Sequence, residues 1–184
     1  MTTHQAEPRP QRWLTGDEQS AWRAYLTMVG RLNGQLNKEM QDEAGISLVD
    51  FAVLVPLSEH PDGQLRARDL AVSLGWEKSR LSHQVGRMQR RGLIERRDCD
   101  EDRRGAVVAL TDCGRETIAD AAPKHVAAVS GYLFDHLSAD QLRTFTEIAS
   151  GVVERLDDVC PGPDAACSSA DAACAAAVDQ GICG

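Results

Sequence analysis

The sequence of 184 residues predicts a mainly α-helical (α+β) protein, in which six helices are joined by short turns and one β-hairpin. Three observations predict this fold class. Apolar residues recur at three- and four-residue steps over most of the chain, which is the period of a helix with one buried side. The period changes between Leu93 and Leu110, where two short β-compatible segments enclose a charged loop. Apolar residues make up 42% of the chain and charged residues 26%, so a sizeable core is expected and wholesale disorder is excluded.

Capping signals divide the predicted helices. Three glycines each follow a helical segment, as is common one residue past a helix end. Three hydroxyl residues stand where a new segment starts and are expected to cap it. These residues are Gly45, Gly75 and Gly92 at the ends, and Ser47, Thr111 and Ser138 at the starts. The first expected helix covers about 17–43, and the second starts at 47 and ends before a turn at 60–63. The remaining helices are expected at about 66–73, 77–91 and 111–137 and in the segment after 138. Pro123 should kink or divide the fifth of them.

The fourth helix separates its polar and apolar residues into two stripes. At ~100° per residue, Leu81, Val85 and Met88 share one side, and basic and amide residues share another. Five basic residues and no acid lie between Lys78 and Arg91, although the formal net charge of the chain is −8. An acidic chain with one basic helix predicts a local anion-binding surface. The apolar stripe is expected to dock on the body, and the polar stripe is expected to face outward.

The outward residue types suit double-stranded DNA. Arginine can pair with guanine through two hydrogen bonds and glutamine with adenine, and serine and histidine can contact bases or phosphates. The helix N-terminus also attracts phosphate. The alternative is a basic helix face that is merely solvated. The residues expected to contact DNA from this helix are Ser79, Arg80, Ser82, His83, Gln84, Arg87 and Arg91.

The charged loop at 98–104 is expected to be the tip of the hairpin. Four of its seven residues are acidic, which is unusual for a DNA contact. The pattern makes sense if the acids orient an arginine toward the minor groove, where the negative potential is deepest over narrow A·T stretches. Arg104 is the expected minor-groove residue, Asp102 its orienting partner, and Arg103 a phosphate contact. The alternative is a solvated acidic turn without contacts.

Helices, a glycine-bearing junction, a basic helix and a hairpin are the parts of a winged helix-turn-helix. The motifs that carry a closer resemblance are residues 79–88, Arg91-Gly92-Leu93-Ile94-Glu95-Arg96, Asp102-Arg103-Arg104-Gly105 and Leu110-Thr111-Asp112-x-Gly114. Over about Leu14 to Leu156 the chain resembles the MarR family of winged-helix transcriptional regulators. The resemblance implies a homodimer that binds a pseudo-palindromic operator, and repression that is relieved by a small ligand, often phenolic, or by cysteine oxidation.

The resulting organisation has three parts. Residues 1–12 are expected to be a flexible arm, 13–157 a MarR-type winged-helix domain, and 158–184 a Cys/Ala-rich tail that is disordered. Within the domain, the DNA-binding lobe is expected at about 47–111, with long dimerisation helices at about 14–44 and 112–157. Dimerisation also follows from geometry, because one recognition helix covers only a few base pairs and a twofold dimer places two of them one DNA turn apart. Alternatively, the long helices simply pack within the chain.

The family places its effector pocket between the dimerisation helices and the DNA-binding lobe. By that analogy the candidate lining residues are Trp22, Tyr25, Met28 and His60. Nothing in the sequence identifies the effector. The alternative for Trp22 is an ordinary anchor of the hydrophobic core.

The six cysteines suggest a second kind of input. Cys99 lies in the predicted hairpin loop and Cys113 at the start of the fifth helix. The tail carries Cys160, Cys167, Cys174 and Cys183. Their spacing does not match a zinc ribbon, but several tail thiolates could bind a soft metal or sense oxidants, as could Cys99. The alternative is a frayed tail with inert thiols.

Other classes of protein fit less well. The chain lacks a phosphate loop, an HExxH sequence, a nucleophile elbow and a glycine-rich nucleotide turn, so an enzyme is not expected and no cofactor is expected. A helical adaptor would leave the basic stripe and the charged hairpin unexplained. No apolar stretch approaches the ~20 residues of a membrane helix, and the N-terminus does not resemble a secretory signal. The expected location is the cytoplasm, and the expected partners are double-stranded DNA, a second copy of the chain and a small-molecule effector.

Overall fold

Six α-helices and a three-stranded sheet make up the computed structural model, which describes residues 12–98 and 106–159. In chain order the elements are α1 (Gly16–Ala44), α2 (Leu48–Glu59), β1 (Gln64–Arg66), α3 (Ala67–Leu74), α4 (Lys78–Arg90), β2 (Ile94–Asp98), β3 (Ala106–Leu110), α5 (Asp112–Tyr132), a 3₁₀ turn (Phe134–His136) and α6 (Ala139–Val159). This order and topology confirm the predicted winged helix-turn-helix, with α3 and α4 as the helix pair and β2 and β3 as the strands of the wing.

The predicted caps form as expected. Ser47 caps α2 in a capping box, since its hydroxyl accepts from the Asp50 backbone N–H and the Asp50 carboxylate accepts from the Ser47 N–H, both at 3.0 Å. Gly45 ends α1 with φ 67°, in the left-handed region that favours glycine. Ser138 and Gln141 form the reciprocal pair at the start of α6. These local signals therefore set the end of α1 and the starts of α2 and α6.

The sheet has one strand more than the predicted hairpin. β3 lies in the centre, with β2 antiparallel on one side and the short β1 antiparallel on the other. Gln64 pairs with Ala109, and Ile94 pairs with Leu110. β1 has only three residues, and Arg66, its last, is also the N-cap of α3. The third strand therefore fixes the start of the helix pair against the wing.

The core lies under the helix pair. Its largest fully buried side chains come from α2, α3, α4 and the sheet: Val53, Leu54, Leu57, Leu70, Met88, Ile94 and Val108. Leu81, Val85 and Met88, the apolar stripe predicted for α4, are all buried. This stripe docks α4 on the body and leaves the opposite side of the helix free to face outward.

The Leu-Thr-Asp-x-Gly motif joins the wing to α5. The Thr111 hydroxyl lies 2.6 Å from the Gly92 carbonyl oxygen and 3.0 Å from that of Leu93, between which its one proton is shared, and it accepts from the Gly114 N–H at 3.0 Å. A Cβ added at Gly114 would lie 1.9 Å from the Leu93 carbonyl oxygen. The motif thus needs a hydroxyl to cap the helix and a glycine to allow the close approach of two backbones.

Of the two effects expected of Pro123, a kink or a division of the fifth helix, the division does not occur. α5 runs without interruption from Asp112 to Tyr132, and it ends at Leu133 before the 3₁₀ turn. Pro123 lies inside α5, as Pro56 lies inside α2. The expected end near Leu137 belongs to the turn that precedes α6.

The terminal helices differ in how they are covered. The C-terminal half of α1, including the buried Leu36 and Met40, packs on α5, where the Tyr132 hydroxyl also donates to Glu39. In α6, every side chain from residue 139 to residue 150 is exposed. Its exposed large apolar residues are Leu142, Phe145, Ile148, Val152, Val153 and Leu156. Packing among the residues that the structure describes therefore does not cover the apolar side of α6. Across residues 12–98 and 106–159, no helix is both long and apolar enough to cross a membrane.

Candidate nucleic-acid interface

The outward side of α4 carries most of the residues predicted for DNA contact. Ser79, Arg80, Ser82, His83 and Arg87 are all exposed, while the apolar stripe of the same helix is buried. We call these five residues the recognition face. α4 holds four Lys and Arg residues and no acidic residue, so the face presents hydrogen-bond donors in a positive field.

Arg80 is held in place by an aromatic ring. Its guanidinium carbon lies 4.3 Å from the centroid of the Trp76 ring, a distance typical of cation–π stacking. Trp76 is itself half-buried and packs against the core. The four-residue step between Trp76 and Arg80 is the signal in the sequence that could have identified this support.

The prediction that Gln84 faces outward is wrong. Gln84 is 3% exposed, and its Nε2 donates to Asp50 Oδ1 at 2.6 Å. Its Oε1 accepts a hydrogen bond from Arg87 Nη2. The helical period gave the angle of Gln84 correctly, but α2 approaches α4 on this side and supplies a buried carboxylate as partner. Gln84 therefore lies beneath the recognition face, and its amide is already bonded to Asp50 and Arg87.

Arg91 also differs from its prediction as a DNA contact. It lies just past the end of α4, and its Nη1 pairs with Asp50 Oδ2 at 2.6 Å. Its Nη2 donates to the Gly45 carbonyl oxygen at 2.7 Å. The side chain is 44% exposed, but both terminal nitrogens are bound to the body of the protein. Arg91 therefore ties α4 to the junction between α1 and α2.

Asp50 is the residue that sequence reasoning missed. It is 4% exposed and accepts hydrogen bonds from the Ser47 N–H, Gln84 and Arg91. Burial is the largest influence on its carboxyl and would raise the pKa. The hydrogen bonds with Ser47 and the ion pair with Arg91 outweigh burial, so the pKa lies below its ordinary value. Asp50 is thus a buried anion at neutral pH.

A groove of about 840 Å³ runs beside the recognition face, between α3, the start of α4 and the sheet. Its floor includes Leu81, Val85 and Val108. Four cationic side chains line it: Arg66, Arg68, Lys78 and Arg96. All four are exposed. The sequence did not indicate that these residues share a surface, because they come from separate elements.

Known proteins share this arrangement. A model described as the MarR family matches residues 44–105. The crystal structure of AbsC, a MarR family transcriptional regulator from Streptomyces coelicolor, is 39% identical, has a TM-score of 0.75 and aligns over 80% of this chain and 99% of that one. The chain belongs to the MarR family. As a MarR-family transcriptional regulator it has the helix pair and the wing in the places expected from the sequence.

Two further relatives agree with this assignment. Sco3205, a MarR family transcriptional regulator from S. coelicolor whose structure was solved in complex with DNA, is 39% identical, with a TM-score of 0.77 over 81% of this chain and 93% of that one. The transcriptional repressor MprA of Escherichia coli K12 is 26% identical over 137 residues, which are 74% of this chain and 77% of that one.

The four candidate effector residues of this MarR-family chain lie on two elements, three on α1 and His60 at the end of α2. The rings of Trp22 and Tyr25 stack with centroids 5.5 Å apart, and Met28 lies on the same helix. Trp22 is 53% exposed, so the alternative that it anchors the core of the chain is wrong. His60 lies at the end of α2, where its Nδ1 accepts from the Asp62 N–H. Among the described residues no hydrogen bond or ring contact joins His60 to the other three.

Several predicted residues lie outside the described ranges. They are Cys99, Asp102, Arg103 and Arg104 of the hairpin loop, and Cys160, Cys167, Cys174 and Cys183 of the tail. Cys113 is described, and it is a free, exposed thiol in the first turn of α5.

Proposed function

We propose that this MarR-family protein is a sequence-specific repressor that binds a pseudo-palindromic operator as a homodimer and is released by a small-molecule effector. The observation that carries the proposal is the recognition face of α4. Its arginine, histidine and serine side chains are exposed on one side of a helix whose opposite side is buried. A helix of this kind fits the major groove, where arginine discriminates guanine from the other bases.

Contacts with the phosphate backbone of DNA would position α4 on the duplex. The cationic residues of the groove beside it, Arg66, Arg68, Lys78 and Arg96, are exposed and close to the recognition face. We assign them to phosphate contacts, which set affinity and register without selecting sequence. Arg104 at the wing, oriented by Asp102, is proposed for the minor groove, with Arg103 on phosphate. Arg104→Ala should therefore lower affinity and change base preference little.

A second copy of the chain would cover the apolar side of α6. The exposed Leu142, Phe145, Ile148, Val152 and Leu156 recur at three- and four-residue steps, as the buried side of a helix does. Further exposed apolar residues, including Trp22 and Leu26, lie on the N-terminal half of α1. Exposed apolar residues grouped on one side of a helix are typical of an interface. We therefore assign 14–44 and 112–157 to dimerisation, and 47–111 to DNA binding, within a domain at 13–157.

The effector would act where these two parts meet, as the resemblance to the family implies. Trp22, Tyr25 and Met28 lie on α1 and His60 at the end of α2. A dimer would change the surroundings of the α1 residues. The alternative input through Cys99 or the tail thiols is tested separately, by measuring operator affinity before and after mild peroxide.

Selection of bound DNA from a random pool tests the proposed function. The expected result is an enriched inverted repeat whose half-sites are about one helical turn apart, bound by a dimer. Sedimentation of the complex gives the stoichiometry. No enriched sequence, or a single half-site bound by one chain, would contradict the proposal.

A further inference from the structure

We propose that Asp50 is a positioning residue for base recognition, and that it acts on DNA through Gln84 and Arg87. This inference rests on the proposed function. The three residues form a continuous polar path from α2 into the recognition face: Asp50 accepts from Gln84, and Gln84 accepts from Arg87. Asp50 is 4% exposed and Gln84 3%, so the path starts in the interior and ends at an exposed guanidinium.

The chemistry of the three groups gives the path a fixed direction. A carboxylate only accepts hydrogen bonds and a guanidinium only donates them. The ionised Asp50 therefore requires the NH₂ group of Gln84, and the amide oxygen of Gln84 is left facing Arg87. If the Gln84 amide were flipped, its NH₂ group would face the Arg87 guanidinium, and both groups are donors. Its oxygen would face the Asp50 carboxylate, and both of these are acceptors. The buried charge of Asp50 thus sets where the acceptor for Arg87 lies.

Two other contacts keep Asp50 itself in place. Its Oδ2 accepts from the Ser47 N–H at 3.0 Å and from Arg91 Nη1 at 2.6 Å. Arg91 also holds the Gly45 carbonyl at the end of α1. The carboxylate is consequently fixed to the junction of α1 and α2, and its Oδ1 is directed toward α4.

The expected benefit is an arginine that is oriented before DNA arrives. Gln84 takes one of the five N–H donors of Arg87 and leaves the others for a base edge. An oriented side chain loses less conformational freedom on binding, and its donors meet one base in one geometry. Loss of the path should therefore reduce discrimination between sequences more than it reduces general attraction to DNA.

A double-mutant cycle between Gln84 and Arg87 tests this role. Gln84→Met keeps the length of the side chain and removes both hydrogen bonds. We measure Kd for the selected operator and for a scrambled duplex of the same length, and divide the Kd of the scrambled duplex by that of the operator to obtain the specificity ratio. Gln84→Met should lower that ratio by about tenfold in the wild-type background and by less than about twofold in the Arg87→Ala background. An equal reduction in both backgrounds, or no reduction in either, would overturn the proposal, because a merely structural role does not depend on Arg87.

Asp50→Asn gives a second, independent test. The neutral amide no longer fixes the direction of Gln84, so the ratio should fall about as far as in Gln84→Met, while affinity for scrambled DNA is kept. Glu59→Gln is the matched control, since it removes one negative charge from an exposed position of the same helix and should leave the ratio unchanged. An unchanged ratio in a folded Asp50→Asn protein would contradict the proposal, and if that variant does not fold, the Gln84 cycle decides. Wild-type protein without any operator preference would refute the proposed function as well.

Discussion

Replacing Arg91 by alanine tests whether this residue holds the fold together or contacts DNA. In the structure Arg91 neutralises Asp50, which is 4% exposed, and also binds the Gly45 carbonyl. Removing one partner of a fully buried ion pair costs about 3–5 kcal/mol. Arg91 is 44% exposed, so solvent screens part of this pair, and Asp50 keeps its bonds to Ser47 and Gln84.

We therefore expect Arg91→Ala to lower the free energy of unfolding by about 2 kcal/mol. For a chain of this size, that corresponds to a fall of about 4–8 °C in Tm. Urea denaturation followed by circular dichroism at pH 7 measures the loss, and the protein concentration must be held constant because the proposed dimerisation would add to apparent stability.

Arg90→Ala is the matched control for this prediction. Arg90 is the neighbouring residue, is exposed, and forms no ion pair with the described residues. The Arg90→Ala variant should therefore have a free energy of unfolding within about 0.5 kcal/mol of wild type. The structural role would be refuted if Arg91→Ala were as stable as Arg90→Ala and yet lost operator affinity, because that pattern belongs to a DNA contact.

Three further predictions concern the fold and the dimer. The pKa of Asp50 is lowered in the folded state, so the stability it contributes is present at neutral pH and is lost as pH falls below about 4; Asp50→Asn should flatten the dependence of the urea midpoint on pH in that range. Gly114→Ala should cost more than about 3 kcal/mol in urea denaturation, because its Cβ would meet the Leu93 carbonyl, whereas Gly86→Ala, with no atom within 4 Å, should cost nothing or stabilise α4 by up to about 1 kcal/mol. Ile148→Glu should convert the dimer to monomers in sedimentation, and a variant that remains fully dimeric would exclude α6 from the interface.

Features set by local chemistry could be predicted from the sequence. The capping box at Ser47 and the left-handed end at Gly45 depend on residues within a few positions of each other. The buried stripe of α4 depends only on the helical period. The exposed Arg80 and Arg87 follow from the same period. These features were sufficient to predict the fold class and most of the recognition face.

Features set by distant residues could not be predicted in the same way. Gln84 and Arg91 were assigned to DNA because their partner, Asp50, lies 34 and 41 positions earlier in the chain. A helical wheel gives the angle of a side chain, but it does not show which neighbouring helix covers that angle. β1 was missed for a related reason, since its three residues form a strand only by pairing with β3.

Base discrimination by Arg87 tests the central claim most directly. Kd is measured for wild type and Arg87→Ala with the operator and with a set of duplexes that each change one base pair symmetrically. We predict that wild type loses about 1–3 kcal/mol of binding free energy when one particular base pair of each half-site is replaced. Arg87→Ala should bind the duplexes equally well whichever base pair stands at that position. A uniform loss of affinity over all the duplexes, with every base preference unchanged, would contradict it.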